Sequence, residues 1–214
     1  MDNTILFPVE DFDGWADSYD SDTQAASGFP LEGYLDVLDR LVELAQVQPG
    51  MRVLDLGCGT ANLTQRFVDL DCAVLGSDFS PRMLAIARAK LPGVPFILHD
   101  LNQALPHEMG GPFERIVSAY TFHHFPLAGK IDLLSRLADR LSPGGMILMA
   151  DISFENAAVQ QALREELGST WEEEYYWLAD ETLAALAQAG MNADYELVRR
   201  YAGIYRIQPN RGDI

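Results

Sequence analysis

The strongest constraint on the fold is the stretch at residues 53–61, which reads Val53-Leu54-Asp55-Leu56-Gly57-Cys58-Gly59-Thr60-Ala61. An apolar strand runs into a Gly-x-Gly turn, and a helix is predicted to follow. Glycine lets the backbone approach a ligand closely because it has no Cβ, and a helix N-terminus offers free N–H groups at the same place. The pattern predicts the nucleotide-binding corner of a doubly wound α/β fold.

An acidic residue stands where such a corner binds a ribose. Asp78 follows an apolar run and lies 21 residues after Gly57, so its carboxylate can accept hydrogen bonds from two ribose hydroxyls. The glycine spacing differs from the dinucleotide fingerprint, because the sixth position counted from Gly57 is Asn62. This difference argues against an NAD-type dehydrogenase, which is the main alternative among nucleotide-binding enzymes.

Predicted strands and helices alternate through the chain. Apolar runs predict strands at 52–56, 73–78, 94–98, 113–119 and 145–151. Helical spacing and turn signals predict helices at 31–47, 61–69, 81–90, 128–141, 156–167 and 180–189. Strands separated by helices form a parallel sheet with right-handed crossovers. At the end of the chain, an antiparallel hairpin is predicted from residues 193–199 and 204–207.

Residues 1–30 differ from the rest of the chain. They contain seven acidic and five aromatic residues but no Lys or Arg. Such an aromatic-rich segment does not have the composition of a disordered one. We expect it to form a cover that docks its rings onto a single domain made of residues 31–214.

The net charge of −17 argues against a nucleic-acid substrate, because the 15 Lys and Arg residues are scattered and form no basic stripe. No run approaches the ~18 apolar residues of a membrane span, and the N-terminus lacks the basic region of a secretory signal. With only two cysteines, we expect free thiols and a cytoplasmic location. The spacing of the Cys and His residues gives no metal site, so no metal is expected.

Four motifs in order resemble those of the class I S-adenosylmethionine-dependent methyltransferases. They are the Asp-x-Gly-x-Gly turn with Ala61 in place of a third Gly, the acidic loop at 76–80, the loop at 99–101 and the Leu-x-Pro-Gly-Gly turn at 141–145. Residues 12–20 and 121–125 are similar to a narrower set, the YrrT-like group of small-molecule methyltransferases. The resemblance implies an α/β, Rossmann-like sheet of seven mostly parallel strands, with helices on both faces and an antiparallel C-terminal strand. It also implies S-adenosylmethionine as the cofactor.

The residues near the Gly-x-Gly turn are assigned cofactor contacts. We expect Gly57 and Gly59 to let the backbone approach the amino-acid part of the cofactor. Asp55 would hold the turn by accepting backbone N–H bonds, or would reach the cofactor's ammonium through water. Asp78 is predicted to bind the ribose, and Phe79 to lie against the adenine or in the core.

The loops after the third and fourth strands complete the predicted cofactor site. Asp100 can accept a hydrogen bond from the adenine amino group, with the Leu101 N–H facing a ring nitrogen. Ser118 stands near the carboxyl end of the fourth strand, at the ligand-binding edge of the sheet. The resemblance further implies that Tyr19 closes over the methionine end, where an aromatic ring attracts a sulfonium.

The acceptor side is assigned to His123 and His124, because imidazole takes a proton near neutral pH. Neighbouring side chains are expected to point apart, so that at most one of the two faces the site. We expect that one to be His124, with packing as the alternative for both. The predicted function is methyl transfer to a small-molecule acceptor. The alternative is a catalytically inactive module that binds S-adenosylmethionine, and the methylated element (O, N, S or C) and the oligomeric state stay open.

Overall fold

Seven strands lie side by side at the centre of the protein in the computed structural model, which describes residues 8–210. In chain order, with the two-residue β6 included, the strands are β1 (Arg52–Leu56), β2 (Ala73–Asp78), β3 (Phe96–Leu98), β4 (Phe113–Ala119), β5 (Leu141–Phe154), β6 (Trp177–Leu178), β7 (Met191–Arg199) and β8 (Ala202–Pro209). The spatial order is β3-β2-β1-β4-β5-β8-β7, and β6 pairs with the end of β5 outside this row. Strands β1 to β5 are parallel, whereas β8 runs antiparallel to β5 and β7. The predicted sheet, with its antiparallel C-terminal strand, is confirmed.

Helices cover both faces of this sheet. They are α1 (Val9–Trp15), α2 (Tyr19–Ala25), α3 (Tyr34–Ala45), α4 (Asn62–Val68), α5 (Pro81–Lys90), α6 (Leu127–Ala138), α7 (Ala157–Leu167) and α8 (Ala179–Gln188). Because successive strand residues point to opposite faces, Val53 packs in one apolar core with α3, α4 and α7, and Leu54 in a second with α6 and α8. The predicted Rossmann-like layering is confirmed. Within residues 8–210, none of the helices has the length and apolar character that crossing a bilayer requires.

Some boundaries differ from the sequence prediction for local reasons. The helix predicted at 31–47 is α3, which begins after Gly33 and ends before Gln46, both in the left-handed conformation. The strand predicted at 145–151 is longer, because β5 already pairs with β4 at Leu141 and still pairs with β6 at Phe154. The third strand is shorter than predicted and spans only Phe96–Leu98.

The N-terminal segment forms two short helices, α1 and α2, and residues 1–7 of the predicted cover lie outside the described residues. Trp15 ends α1 and Tyr19 begins α2, so the two rings do not share one helix, although their centroids lie 4.7 Å apart. Asp13 accepts hydrogen bonds from the Ser80 hydroxyl (2.5 Å) and the Arg82 N–H (3.2 Å) at the start of α5. This contact places α1 beside the carboxyl end of β2.

Asp20 fastens α2 to the body of the protein. One carboxylate oxygen accepts hydrogen bonds from the Thr60 hydroxyl (2.6 Å) and the Asn62 side-chain amide (2.9 Å), and the other accepts from the Lys90 ammonium (2.8 Å). These partners keep the pKa of the half-exposed Asp20 below its usual value, although burial alone would raise it. The segment is therefore joined to the Gly-x-Gly turn, to α4 and to α5.

Candidate active site

The Gly-x-Gly turn after β1 needs its glycines for two different reasons. Gly57 and Gly59 have φ angles of 63° and 52°, in the left-handed region that favours glycine. A Cβ on Gly57 would lie 2.1 Å from the Thr121 hydroxyl oxygen, whereas a Cβ on Gly59 would meet no atom within 4 Å. Packing against the loop after β4 therefore requires Gly57, and Gly59 borders open space that a ligand can fill.

Asp78 holds its carboxylate at the edge of this open space. One oxygen accepts the Gly59 N–H and the other accepts the Ser80 N–H, both at 2.8 Å. Burial raises the pKa of Asp78, and these two hydrogen bonds oppose the rise. The Ser80 hydroxyl caps α5 by accepting the Met83 N–H at 3.0 Å. The acid is thus fixed by backbone groups and does not serve as the helix cap.

Asp55 is buried beneath the turn. Its Oδ2 accepts the Thr64 hydroxyl at 2.6 Å, so in this structure Asp55 holds the first turn of α4. This contact differs from the predicted one, in which Asp55 accepts N–H groups of the turn, and the alternative reach to the cofactor's ammonium stays a prediction. Its buried Oδ1 has no hydrogen-bond partner among residues 8–210. Burial raises the pKa of Asp55 to about 7, and the nearby Asp78 carboxylate acts in the same direction.

Three predicted cofactor residues lie away from the space beside Gly59. The Asp100 carboxylate accepts the backbone N–H and the side-chain amide of Asn102, both at 2.9 Å, within its own loop. Leu101 is buried in the apolar core shared with α6 and α8. The Ser118 hydroxyl donates to the Leu56 carbonyl at 2.7 Å inside the sheet. In this structure Asp100 and Ser118 hold local structure, and their cofactor contacts stay predictions.

A cavity of about 550 Å³ lies at the carboxyl ends of the strands, beneath the N-terminal helices. Among the described residues, its lining includes Gly57, Gly59, Asp78 and Phe79 on the β2 side, and Ile152, Glu172, Glu174 and Tyr176 on the β5 side. The loop after β4 lies between them and contributes Tyr120, Thr121, His123 and His124. Strands β2 and β5 are three strand spacings apart in the sheet, which is about 14 Å. One cavity therefore joins the predicted cofactor side to the predicted acceptor side.

The N-terminal segment lines this cavity with aromatic rings. Tyr19 is partly buried, and desolvation raises the pKa of its hydroxyl well above the usual value. Phe79 meets Phe12 of α1 edge to face, with ring centroids 4.9 Å apart. Phe29 stacks on Trp171 at 5.5 Å on the β5 side. The rings of the segment thus pack at the cavity, and its role as a cover stays a prediction.

His123 is held by a buried carboxylate that the sequence analysis did not single out. Its Nδ1 lies 2.5 Å from Asp151 Oδ1, and its backbone N–H donates to Asp151 Oδ2 at 2.9 Å. Trp177 donates its indole N–H to the same Oδ2 at 3.0 Å. Burial alone would lower the pKa of His123, but the charge and hydrogen bond of Asp151 raise it. The other ring nitrogen, Nε2, lies 3.5 Å from a Glu174 carboxylate oxygen.

Lys130 and Glu174 complete the charges around His123. Lys130 is buried, donates to the Tyr175 carbonyl and places its ammonium 4.6 Å from the centre of the Trp177 ring. Burial lowers the pKa of Lys130 to about 8 and raises the pKa of Glu174. Asp151 is the last residue of the strand predicted at 145–151, and an acid at that position is the signal from which its role could have been inferred. Glu174 and Lys130 carry no comparable signal in the sequence.

His124 faces the same cavity, which contradicts the expectation that adjacent histidines point apart. The tight turn at Phe122–His124 brings the two imidazole centroids to 4.0 Å, and Phe12 packs edge to face on His124 at 5.4 Å. Burial lowers the pKa of His124 to about 3, so its ring is neutral and a weak proton acceptor at pH 7. Of the two, His123 is the imidazole that a buried carboxylate orients, and which of them acts on an acceptor stays a prediction.

The two histidines and Glu174 each offer one ligand atom, and these atoms lie within 4.8 Å of one another. Imidazole nitrogens and carboxylate oxygens are ligands for divalent transition metals. Glu174 follows His124 by 50 residues, so no sequence spacing could show this grouping. The absence of a metal from the reaction stays a prediction.

The order of the strands and the turn after β1 define a class I methyltransferase fold, and comparisons with known proteins agree. Residues 53–145 match the model of a methyltransferase domain. The DhpI–SAH complex superimposes with a TM-score of 0.73 at 18% identity, over 95% of this chain and 96% of that one. ChlM, a magnesium protoporphyrin IX methyltransferase of Synechocystis, gives 0.67 at 16% identity, over 94% and 99%. These likenesses establish the fold.

Relatives at higher identity establish the family. The uncharacterized methyltransferase YrrT of Halobacillus halophilus is 30% identical over 96% of this chain and 98% of its own length. An uncharacterized methyltransferase of Geobacillus kaustophilus is 33% identical over 86% of this chain and 88% of its own. The chain belongs to this family of methyltransferases, as its motifs predict.

Proposed function

We propose that this methyltransferase moves a methyl group from S-adenosylmethionine to a small-molecule acceptor held between the loop after β4 and the segment at residues 172–176. The observation that carries the proposal is the single cavity that joins Gly59 and Asp78 to His123. Its volume of about 550 Å³ is within the range of small-molecule sites. When bound, S-adenosylmethionine supplies the methyl group on a sulfonium.

The residues on the β2 side suit this cofactor. The open space beside Gly59 admits a ligand against the backbone, and the fixed Asp78 carboxylate can accept hydrogen bonds from ribose hydroxyls. Phe79 offers a ring for the adenine, and Tyr19 offers one for the sulfonium end. Complexes of DhpI with SAH and with SAM support the same choice, as far as a shared fold can.

His123 has the strongest case for acting on the acceptor. Asp151 fixes the ring through Nδ1, which leaves Nε2 on the cavity side near Glu174. In its neutral form the ring can take a proton from the acceptor, and Asp151 stabilises the imidazolium that forms. Alignment of the reacting groups can contribute ~7–11 kcal/mol, so that a base is needed only for acceptors that must lose a proton.

Two further features support the finer parts of the proposal. The cavity lies beneath α1 and α2, which suits a small acceptor better than a nucleic acid, and the net charge of −17 opposes phosphate backbones. Cys58 and Cys72 are both free thiols, which supports the cytoplasm as the location.

Binding and turnover test this function separately. S-adenosylhomocysteine should raise the melting temperature by mass action, since it binds only the folded protein. A screen of small metabolites with labelled S-adenosylmethionine should then release S-adenosylhomocysteine with at least one acceptor, and His123→Ala should lower that rate by ~10²–10⁴-fold. Binding with no turnover on any acceptor would instead identify an inactive cofactor-binding module.

A further inference from the structure

The β5 side of the cavity has a charge pattern that narrows the class of acceptor. The carboxylates on this side are those of Glu172 and Glu174, and none of the described residues that line the cavity is a Lys or Arg. Even with His123 protonated, negative groups outnumber positive ones in this lining. This side of the lining disfavours an acceptor with a carboxylate, phosphate or sulfonate group, because such a group would bring another negative charge beside Glu172 and Glu174 in a partly desolvated space.

Aromatic rings surround the same space. Seven rings line the cavity, which are those of Phe12, Trp15, Tyr19, Phe29, Phe79, Tyr120 and Tyr176. On the β5 side, Phe29 packs on Tyr176 with centroids 5.7 Å apart, and Tyr176 donates its hydroxyl to the Glu172 carbonyl at 2.8 Å. Aromatic faces beside carboxylates are the arrangement that recognises ammonium groups.

Glu174 is placed to contact such a group. It is largely buried, and its Oε2 has no hydrogen-bond partner among residues 8–210, with His123 Nε2 at 3.5 Å beyond hydrogen-bonding geometry. A buried carboxylate oxygen without a donor is costly, and an N–H donor of a ligand would satisfy it. The sulfonium of the cofactor does not meet this need, because it carries no N–H that could donate a hydrogen bond to the Glu174 carboxylate.

We propose that the acceptor is an amine, bound as an ammonium ion by Glu174, Glu172 and the rings of Phe29 and Tyr176. This inference rests on the proposed function and names its substrate class. The ammonium first loses a proton to neutral His123 Nε2. The acceptor nitrogen then forms the bond to the methyl carbon as the methyl–sulfur bond breaks, and the electron pair of that bond goes to sulfur.

The test compares ligands that share a carbon skeleton but differ in the polar group. Protein saturated with S-adenosylhomocysteine is titrated calorimetrically with alkyl and arylalkyl amines and with the matching alcohols and carboxylates. At least one amine should bind, and its matching carboxylate should bind at least about 10-fold more weakly. An alcohol or carboxylate that binds better than every amine would overturn the proposal, as would the failure of all amines to bind.

Three consecutive glutamates supply matched variants. Glu174→Gln should weaken amine binding by about 10-fold or more, the usual effect of losing a hydrogen bond to a charged group. Glu173→Gln is the control, because that side chain is exposed and pairs with Arg164. Both variants should keep the melting-temperature rise with S-adenosylhomocysteine. If S-adenosylhomocysteine did not raise the melting temperature of the parent, the cofactor site and the proposed function would be refuted, whatever the result with amines.

A metal ion is the rival occupant of the same place. When the parent and His123→Ala are each titrated with Zn²⁺ or Mn²⁺ alone, we expect the two proteins to bind the metal equally weakly. Tight binding of either ion that needs both His123 and Glu174, together with loss of amine binding after chelation, would show that the carboxylate serves a metal and would overturn the amine assignment.

Discussion

His123 contacts the carboxylate of Asp151 twice, once through the imidazole Nδ1 at 2.5 Å and once through its backbone N–H at 2.9 Å. The carboxylate belongs to β5 and is almost completely buried, whereas the imidazole belongs to the loop after β4 and borders the cavity. The double contact fixes both the position of the loop and the orientation of the ring. A central strand thus sets the geometry of the acceptor side.

Removal of this carboxylate should be costly. Asp151→Ala removes a buried acceptor that three groups share: the His123 backbone N–H, the His123 imidazole and the Trp177 indole N–H. We expect this loss to destabilise the protein by ~3–5 kcal/mol. Urea denaturation measures the change. Asp132→Ala is the control, because its carboxylate is exposed and pairs with Arg136 on α6, so the loss should stay within ~0.5 kcal/mol. Equal stability of the two variants would show that Asp151 has no structural role.

The fold could be predicted from the sequence because its signals are local. The apolar runs of β1 and β2 and the turn at Gly57 each specify nearby backbone, and the structure has these elements where they were predicted. Boundaries were less predictable where tertiary pairing decides them. Leu141 and Phe154 are in β5 because they pair with β4 and β6, which no local pattern shows.

Residues that line the cavity could be predicted from sequence patterns best beside the Gly-x-Gly turn. Gly59 and Asp78 are close in sequence to the strands that position them. On the acceptor side, Glu174 lies 51 residues after His123 in the sequence. The two side chains come together because β6, which follows Glu174, pairs with the end of β5. The choice between His123 and His124 likewise depended on Asp151, which is 28 residues away.

The ribose assignment gives a direct binding prediction. Asp78→Ala should weaken S-adenosylhomocysteine binding by ~1–3 kcal/mol, which is the cost of a lost hydrogen bond to a charged group. Calorimetry measures the affinity. Asp69→Ala, which removes an exposed carboxylate at the end of α4, should leave the affinity unchanged. Equal affinities for parent and Asp78→Ala would refute the assignment.

Asp55 predicts how stability varies with pH. Burial raises its pKa to about 7, so between an unfolded pKa of ~3.9 and a folded pKa near 7 the folded protein binds more protons, and this group's contribution to stability falls as pH rises. The titratable groups that face it are Asp78 and Cys58. In the variant Asp55→Asn, the side-chain amide oxygen can still accept a hydrogen bond from the Thr64 hydroxyl, and the side chain is neutral at every pH.

The free energy of unfolding of Asp55→Asn minus that of the parent should therefore increase by about 2–3 kcal/mol when the pH rises from 5 to 8. Denaturation of both proteins at each pH measures the difference. Asp69→Asn is the control, and its small effect should be the same at the two pH values. Parallel curves for Asp55→Asn and the parent would mean that Asp55 is ionised throughout.

The contacts of Asp20 predict how the N-terminal segment behaves. Asp20→Ala removes the bonds to Thr60, Asn62 and Lys90, so hydrogen exchange in α1 and α2 should speed up and S-adenosylhomocysteine should bind more weakly, by about 1 kcal/mol for a partly exposed carboxylate. Asp17→Ala breaks an exposed ion pair with Arg82 between the same segment and α5, and it should change neither quantity measurably. We further expect that S-adenosylhomocysteine slows exchange at residues 15–19 of the parent, as a lid that closes over a ligand does. Exchange that is unaffected by the ligand, with unchanged affinity in Asp20→Ala, would make the segment a fixed structural element and not a lid.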